Sequence, residues 1–130
     1  MPELMPTSNW DVDFVLLRTY RKYQAFPYTC QEKYSFIVIE LTKTVSRYVD
    51  EAGKEATQRR DRLRDVLAMA LATFRGDLHR VADQPSRVDT IVFRIDRTIQ
   101  AISDVQRNAN QATLIESWSA DIARGRAVCW

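Results

Sequence analysis

Four arginines stand close together in the middle of the chain, at Arg59, Arg60, Arg62 and Arg64. An arginine side chain is permanently charged, and its planar guanidinium group matches the oxygens of phosphates and carboxylates. A run of this kind is suited to binding an anion. Because the surrounding periodicity places it in the first two turns of a helix, its charge opposes the helix macrodipole, at about 0.3 to 1 kcal/mol per badly placed side chain. We expect something to offset that cost.

Two kinds of interaction can offset the cost of placing these arginines at a helix N-terminus. Local ion pairs with Glu55, Asp61 and Asp65 would give the run a purely structural role, as exposed charges on a helix commonly have. An anionic partner such as RNA, DNA or an acidic protein surface would give it a functional one. The same four arginines therefore support two different interpretations.

Further cations extend the candidate surface beyond this run. Lysine accounts for four of the 19 cations, so 15 are arginine. The predicted nucleic-acid-binding residues outside the run are Arg18, Arg21, Lys22, Arg87, Arg94 and Arg97. If the helices that carry them abut, these six side chains merge into one basic face that binds phosphates without reading bases. The alternative for Arg87 and Arg94 is that their stems cover the edge of the core.

The residue types that catalysis or metal binding would need are scarce. His79 is the single histidine, Cys30 and Cys129 stand almost a chain length apart, and the three glycines are isolated. These residues form neither a metal-ligand spacing nor a phosphate-binding loop, so we expect no enzyme, no metal and no cofactor. The chain also lacks a signal peptide and an apolar run of about 18 residues, which predicts a reduced, cytoplasmic protein outside the membrane.

Apolar residues recur at helical spacing along most of the chain. With 130 residues, 45% of them hydrophobic and 28% charged, the composition is that of one globular domain. The spacing predicts helices at 9–26, 29–53, 57–83 and 86–108, preceded by a leader at 1–8. A weaker pattern predicts a short fifth helix at 110–123, followed by a tail at 124–130. Ser86 with Asp89 resembles a capping pair, and Gly53 suits a left-handed helix end.

On each predicted helix the apolar residues form a stripe along one side, and these stripes predict how the helices pack. Apolar surface costs roughly 25 cal/mol per Å² in water, so the stripes must cover one another. Short connections make consecutive helices antiparallel. We therefore predict an all-α, up-down-up-down four-helix bundle with a short fifth C-terminal helix. The stripe expected to be buried on the helix at 86–108 consists of Val88, Ile91, Val92, Ile95, Ile99, Ile102 and Val105.

Several short patterns between about residues 20 and 108 suggest a family. They are Tyr23, the Phe26-Pro27 step, Tyr34 and Leu41 in the next helix, Asp50-Glu51-Ala52 at its end, the arginine-rich third helix and Ile95-Asp96-Arg97. In these the chain resembles the small four-helix-bundle proteins that include the accessory variability determinant of diversity-generating retroelements and the bundles encoded within some ribosomal RNA gene insertions. The resemblance implies a barrel-like homo-oligomer, a pentamer, whose basic surface binds a reverse transcriptase and template RNA.

The sequence supports three functional hypotheses. The first is a non-catalytic, homo-oligomeric accessory protein that binds nucleic acid, or a nucleoprotein enzyme such as a reverse transcriptase, through arginine. The second is a protein-interaction module of a phage or mobile element, an adaptor, inhibitor or virion component, anchored by exposed aromatics such as Trp118 and Trp130. The third is a plain oligomer subunit, since Phe36 and Ile39 lie off the main apolar stripe and need cover.

Overall fold

The computed structural model describes residues 30–123, with the side chains of residues 30, 31, 33 and 34 left aside. This part of the chain consists of four helices and contains no strand. They are α1 (Cys30–Asp50), α2 (Ala56–Arg80), α3 (Pro85–Gln106) and α4 (Gln111–Ala123). The predicted all-α, four-helix architecture is confirmed. The predicted leader at 1–8, helix at 9–26 and tail at 124–130 lie outside the described residues.

The helices pack around a closed ring. Close contacts join α1 to α2, α2 to α3, α3 to α4, and α4 back to α1. The connections at 51–55, 81–84 and 107–110 are short, so consecutive helices run antiparallel. The segment predicted as a short fifth helix is therefore a full member of the bundle that the structure describes.

The residues that end and begin the helices agree with the sequence prediction at Gly53 but not at Ser86. Gly53 adopts a φ of 94°, the left-handed conformation expected of it. The side chain of Asn110 caps α4, because its Oδ1 accepts a hydrogen bond from the Thr113 backbone N at 3.0 Å. The predicted Ser86 cap is wrong: α3 begins at Pro85, and its N-cap residue makes no side-chain capping bond. Proline has no N–H to satisfy and a φ suited to the first helical position.

The core lies along the axis of the bundle, and all four helices contribute to it. Phe74 on α2 and Trp118 on α4 are its largest fully buried side chains. The other buried apolar residues are Ile37, Leu41, Val45, Val49, Leu63, Val66, Leu67, Ala70, Ile91, Ala101, Val105, Leu114, Ile115, Ile122 and Ala123. α1 supplies every fourth residue from Ile37 to Val49, so one straight stripe of that helix faces the axis.

α3 turns a different side toward the core from the one predicted. The prediction that Val92 and Ile99 are buried is wrong, since they are 48% and 49% exposed, while Thr98 is fully buried. The cause is on α4, where the Trp118 Nε1 donates a hydrogen bond to the Thr98 Oγ1 at 3.0 Å. A buried indole N–H needs an acceptor. This bond holds the polar Thr98 toward α4 and turns its apolar neighbour Ile99 outward.

Candidate nucleic-acid interface

The arginine run of α2 does not point in one direction. Successive residues of a helix are turned by about 100°, so Arg59 and Arg62 fall on one flank of α2 and Arg60 and Arg64 on the other. α2 has α1 on one side and α3 on the other. Arg62 contacts α1 through the Tyr48 carbonyl, so the flank of Arg60 and Arg64 is the one that borders α3.

Arg59 is bound to the end of α1 and to the turn that follows it. Its Nη2 lies 2.8 Å from the Asp50 Oδ1, and its Nη1 donates a hydrogen bond to the Gly53 carbonyl oxygen at 3.1 Å. The Gly53 carbonyl belongs to the connection between the two helices. One guanidinium group therefore links the last residue of α1, the turn and the first helical turn of α2.

Arg62 makes a second link between the same helices. Its Nη1 donates a hydrogen bond to the Tyr48 carbonyl oxygen at 3.0 Å and lies 3.6 Å from the Glu51 Oε1. Its guanidinium carbon also lies 4.8 Å from the centroid of the Tyr48 ring, a cation–π contact. Arg59 and Arg62 with these partners are called the α1–α2 clamp. Its members are Tyr48, Asp50, Glu51, Gly53, Arg59 and Arg62.

The clamp offsets the cost of placing two of the four arginines, Arg59 and Arg62, at the N-terminus of α2. Acids at the C-terminus of α1 and arginines at the N-terminus of α2 each oppose their own macrodipole, and pairing them across the turn offsets both. The predicted local partners Glu55 and Asp65 are wrong, since neither forms an ion pair with the run in the described part of the chain. Asp61 is a partner, with its Oδ1 3.7 Å from the Arg64 Nη1.

We expect the Arg59→Gln and Arg62→Gln double variant to lower the free energy of unfolding by about 1 kcal/mol, since partly exposed ion pairs contribute about 0.2 to 1 kcal/mol each. The carboxylates of Asp50 and Glu51 are 64% and 60% exposed, so water screens both pairs. The measurement is urea unfolding, with Arg75→Gln, an exposed α2 arginine outside the clamp, as the control. Equal midpoints for the double variant and the wild type would contradict a structural role.

The flank of α2 that borders α3 carries the other two arginines of the run. Arg60 forms no ion pair with a residue that the structure describes, and the 3.7 Å pair of Arg64 is long. Arg97 on α3 lies 3.2 Å from the adjacent Asp96. Helical spacing puts it on the opposite flank of α3 from Ile95 and Ile102, which in this antiparallel pair is the flank away from α2, so it does not join Arg60 and Arg64. Arg60 and Arg64 leave guanidinium donors at the surface where α2 meets α3.

A third arginine belongs to this flank of α2 and was not predicted. Arg75 is exposed, and its spacing of 11 residues from Arg64 returns it to the same side of α2, about 20° away. Helical spacing from Arg60 and Arg64 was the signal that would have found it. The name basic face is used below for this flank of α2. Its members are Arg60, Arg64 and Arg75.

The remaining predicted cations do not join the basic face. Arg94 is only 4% exposed, and its guanidinium carbon lies 5.8 Å from the centroid of the Phe74 ring. The prediction of Arg94 as a surface binding residue is therefore corrected to a core residue, because a buried guanidinium group does not reach a phosphate outside. Arg87 is exposed in the first turn of α3, at the opposite end of the bundle from Arg60. Predicted binding residues Arg18, Arg21 and Lys22 lie outside the described residues.

The aromatic anchor of the second hypothesis is also corrected. Trp118 is 2% exposed, so it cannot anchor a partner, and Trp130 lies outside the described residues. His79 is exposed on α2. Within residues 30–123 no group of three or more histidine, cysteine or carboxylate side chains is placed to hold a metal ion. None of the helices described is both long and apolar enough to cross a membrane.

Comparisons of the chain with protein-family models, curated proteins and solved structures found no match. The resemblance to the accessory variability determinant family therefore stays a prediction from residue patterns.

Proposed function

We propose that this chain is a non-catalytic helical accessory protein that binds nucleic acid, RNA or DNA, through the basic face. The observation that carries the proposal is the division of the arginine run. Arg59 and Arg62 are used within the molecule, whereas Arg60 has no ionic partner in the described part of the chain and Arg64 has a distant one. The cost of placing Arg60 and Arg64 at a helix N-terminus is then offset by an anion from outside.

Phosphate is the anion that this arrangement suits best. The three arginines of the basic face lie along one flank of α2 rather than around a cavity. A row of separate guanidinium groups matches a charged backbone that repeats along its length. It offers no enclosed site for a small anion, and nothing in it reads a base edge, so we expect binding with little sequence preference. A nucleoprotein enzyme such as a reverse transcriptase would present the same phosphates.

The experiment is fluorescence anisotropy with a labelled single-stranded RNA and a duplex DNA over a range of salt. We expect affinity to fall linearly with log salt, because each neutralised phosphate releases condensed counterions, with a slope of about 0.7 to 0.9 per contact. The variant Arg60→Gln, Arg64→Gln and Arg75→Gln is expected to weaken binding to both ligands and to reduce the slope by about 2 to 3. No binding of either nucleic acid at low salt would end the proposal.

The matched control removes three cations from elsewhere on the surface. All three are exposed and lie away from the basic face: Lys43 and Arg47 on α1, and Lys54 in the connection between α1 and α2. Changing these three to Gln lowers the net charge by the same amount, so we expect a smaller loss of affinity and a nearly unchanged slope. Equal losses in the two triple variants would mean that net charge alone attracts the ligand and that the basic face is not a site.

A further inference from the structure

An acid stands among the arginines of the basic face. Asp61 is exposed and lies one residue after Arg60 and three residues before Arg64. Its Oδ1 is 3.7 Å from the Arg64 Nη1, whereas Arg60 forms no ion pair with a residue that the structure describes. Of these two arginines, Arg64 alone therefore has a described carboxylate beside it.

The Arg64 side chain meets solvent through the end of its guanidinium group. Its Nε is buried and forms no hydrogen bond within the described residues, although 43% of the side chain as a whole is exposed. The covered stem limits how far the group can turn, and the Nη1 at its end is the atom next to Asp61. A phosphate that binds Arg64 therefore has to come close to the Asp61 carboxylate.

The ion pair between Asp61 and Arg64 is weak enough for a stronger anion to displace it. The Asp61 side chain is 57% exposed, and 3.7 Å is long for an ion pair, so water screens the attraction. A phosphate and a carboxylate on one guanidinium group lie well within the roughly 8 Å Debye length of physiological salt, so they repel each other. Asp61 therefore contributes little to the fold but opposes a second anion at Arg64.

We propose that Asp61 competes with phosphate for Arg64 and so lowers the affinity of the basic face for nucleic acid. This inference rests on the proposed function and adds a regulator to the same site. Arg60 has no such competitor and lies about 6 Å from Arg64 along the axis of α2. A strand held at Arg60 raises the local concentration of its next phosphate at Arg64, so linked phosphates displace Asp61 more readily than a single phosphate does.

The test is the affinity of the Asp61→Asn variant for the labelled single-stranded RNA, measured by fluorescence anisotropy at physiological salt. Asparagine keeps the size of the side chain and removes its charge. We expect the affinity to rise about two- to fivefold, which corresponds to about 0.4 to 1 kcal/mol, the range of an exposed ion pair. An affinity equal to that of the wild type would overturn the proposal.

Asp65→Asn is the matched control. Asp65 is also exposed on α2 and follows Arg64 directly, but it forms no ion pair with the arginine run in the described part of the chain. The two variants change the net charge equally, so we expect a smaller gain from Asp65→Asn. Equal gains would show that net charge alone is responsible and would refute the competition at Arg64.

A double-mutant cycle with Arg64→Gln assigns the gain to one contact. Without Arg64, Asp61→Asn is expected to raise the affinity no more than Asp65→Asn does in the same background. A full gain without Arg64 would overturn the proposal, because the carboxylate would then act on the ligand directly. Absence of binding by the wild type would end the proposed function as well, whereas a wild type that binds, with equal gains in the two variants, would refute the competition alone. Far-UV circular dichroism checks that each variant is folded, and Asp61→Gln serves if Asp61→Asn is not.

Discussion

A chain that ends at Asn108 is expected to lose the folded bundle. α4 fills the side of the ring between α1 and α3, and removing it exposes the apolar residues that these helices turn toward it. The buried residues lost with it are Leu114, Ile115, Trp118, Ile122 and Ala123. Deleting one large buried side chain costs about 2 to 5 kcal/mol, so losing four of them costs about 8 to 20 kcal/mol, as much as the roughly 5 to 15 kcal/mol that keeps a domain folded. Far-UV circular dichroism and a urea titration measure the outcome.

The control for this truncation is a chain that ends at Ala123. It keeps all four helices described here, so we expect a cooperative urea transition with helix content near that of the full chain. A cooperative transition in the chain ending at Asn108 would show that α1, α2 and α3 form a stable core without α4. The truncation also bears on partner capture: loss of a partner in the shorter chain would report unfolding rather than a missing aromatic anchor.

Trp118→Ala is expected to lower the free energy of unfolding by about 3 to 5 kcal/mol. The side chain is 2% exposed and is the largest in the core, so its removal leaves a cavity that the rigid helices fill only in part. It also takes away the donor that holds Thr98 in place. The midpoint of urea unfolding measures the loss, and a shift in the slope as well would indicate a change in the compactness of one state.

Two smaller changes separate the volume of Trp118 from its hydrogen bond. Trp118→Phe keeps most of the ring volume and removes the N–H, so we expect a smaller loss than for Trp118→Ala. Thr98→Val keeps the shape of that side chain but leaves the indole N–H buried without an acceptor, at about 1 to 3 kcal/mol. A neutral Thr98→Val variant would contradict the role of this hydrogen bond in orienting α3.

The sequence was sufficient to predict which parts of the chain between residues 30 and 123 are helical. The described helices begin and end within three residues of the predicted ones. This worked because apolar spacing and breakers such as Gly53 and Pro85 act locally, through the geometry of a single helix. The same information identified the arginine run and the exposed Ile39, each of which depends only on residue type and spacing.

What the sequence did not determine is which neighbour each helix face meets. α3 has an apolar arc wide enough to bury either the side of Val105 or the side of Ile99, and local spacing does not distinguish them. The choice was made by a hydrogen bond to a residue 20 positions away, Trp118, whose buried N–H needs an acceptor.

The arginines of the run differ in their partners for the same reason. The four arginines of the run look alike in the sequence, but those facing α1 meet Asp50 and the Tyr48 carbonyl. On the other flank, Arg64 has only the Asp61 carboxylate at 3.7 Å, and Arg60 has no ion pair with a described residue. Residue type and spacing determined that the molecule is a helical bundle with many arginines. Only the packing of one helix against another decided which of these arginines pair across an interface and which do not, because pairing depends on what lies across the interface.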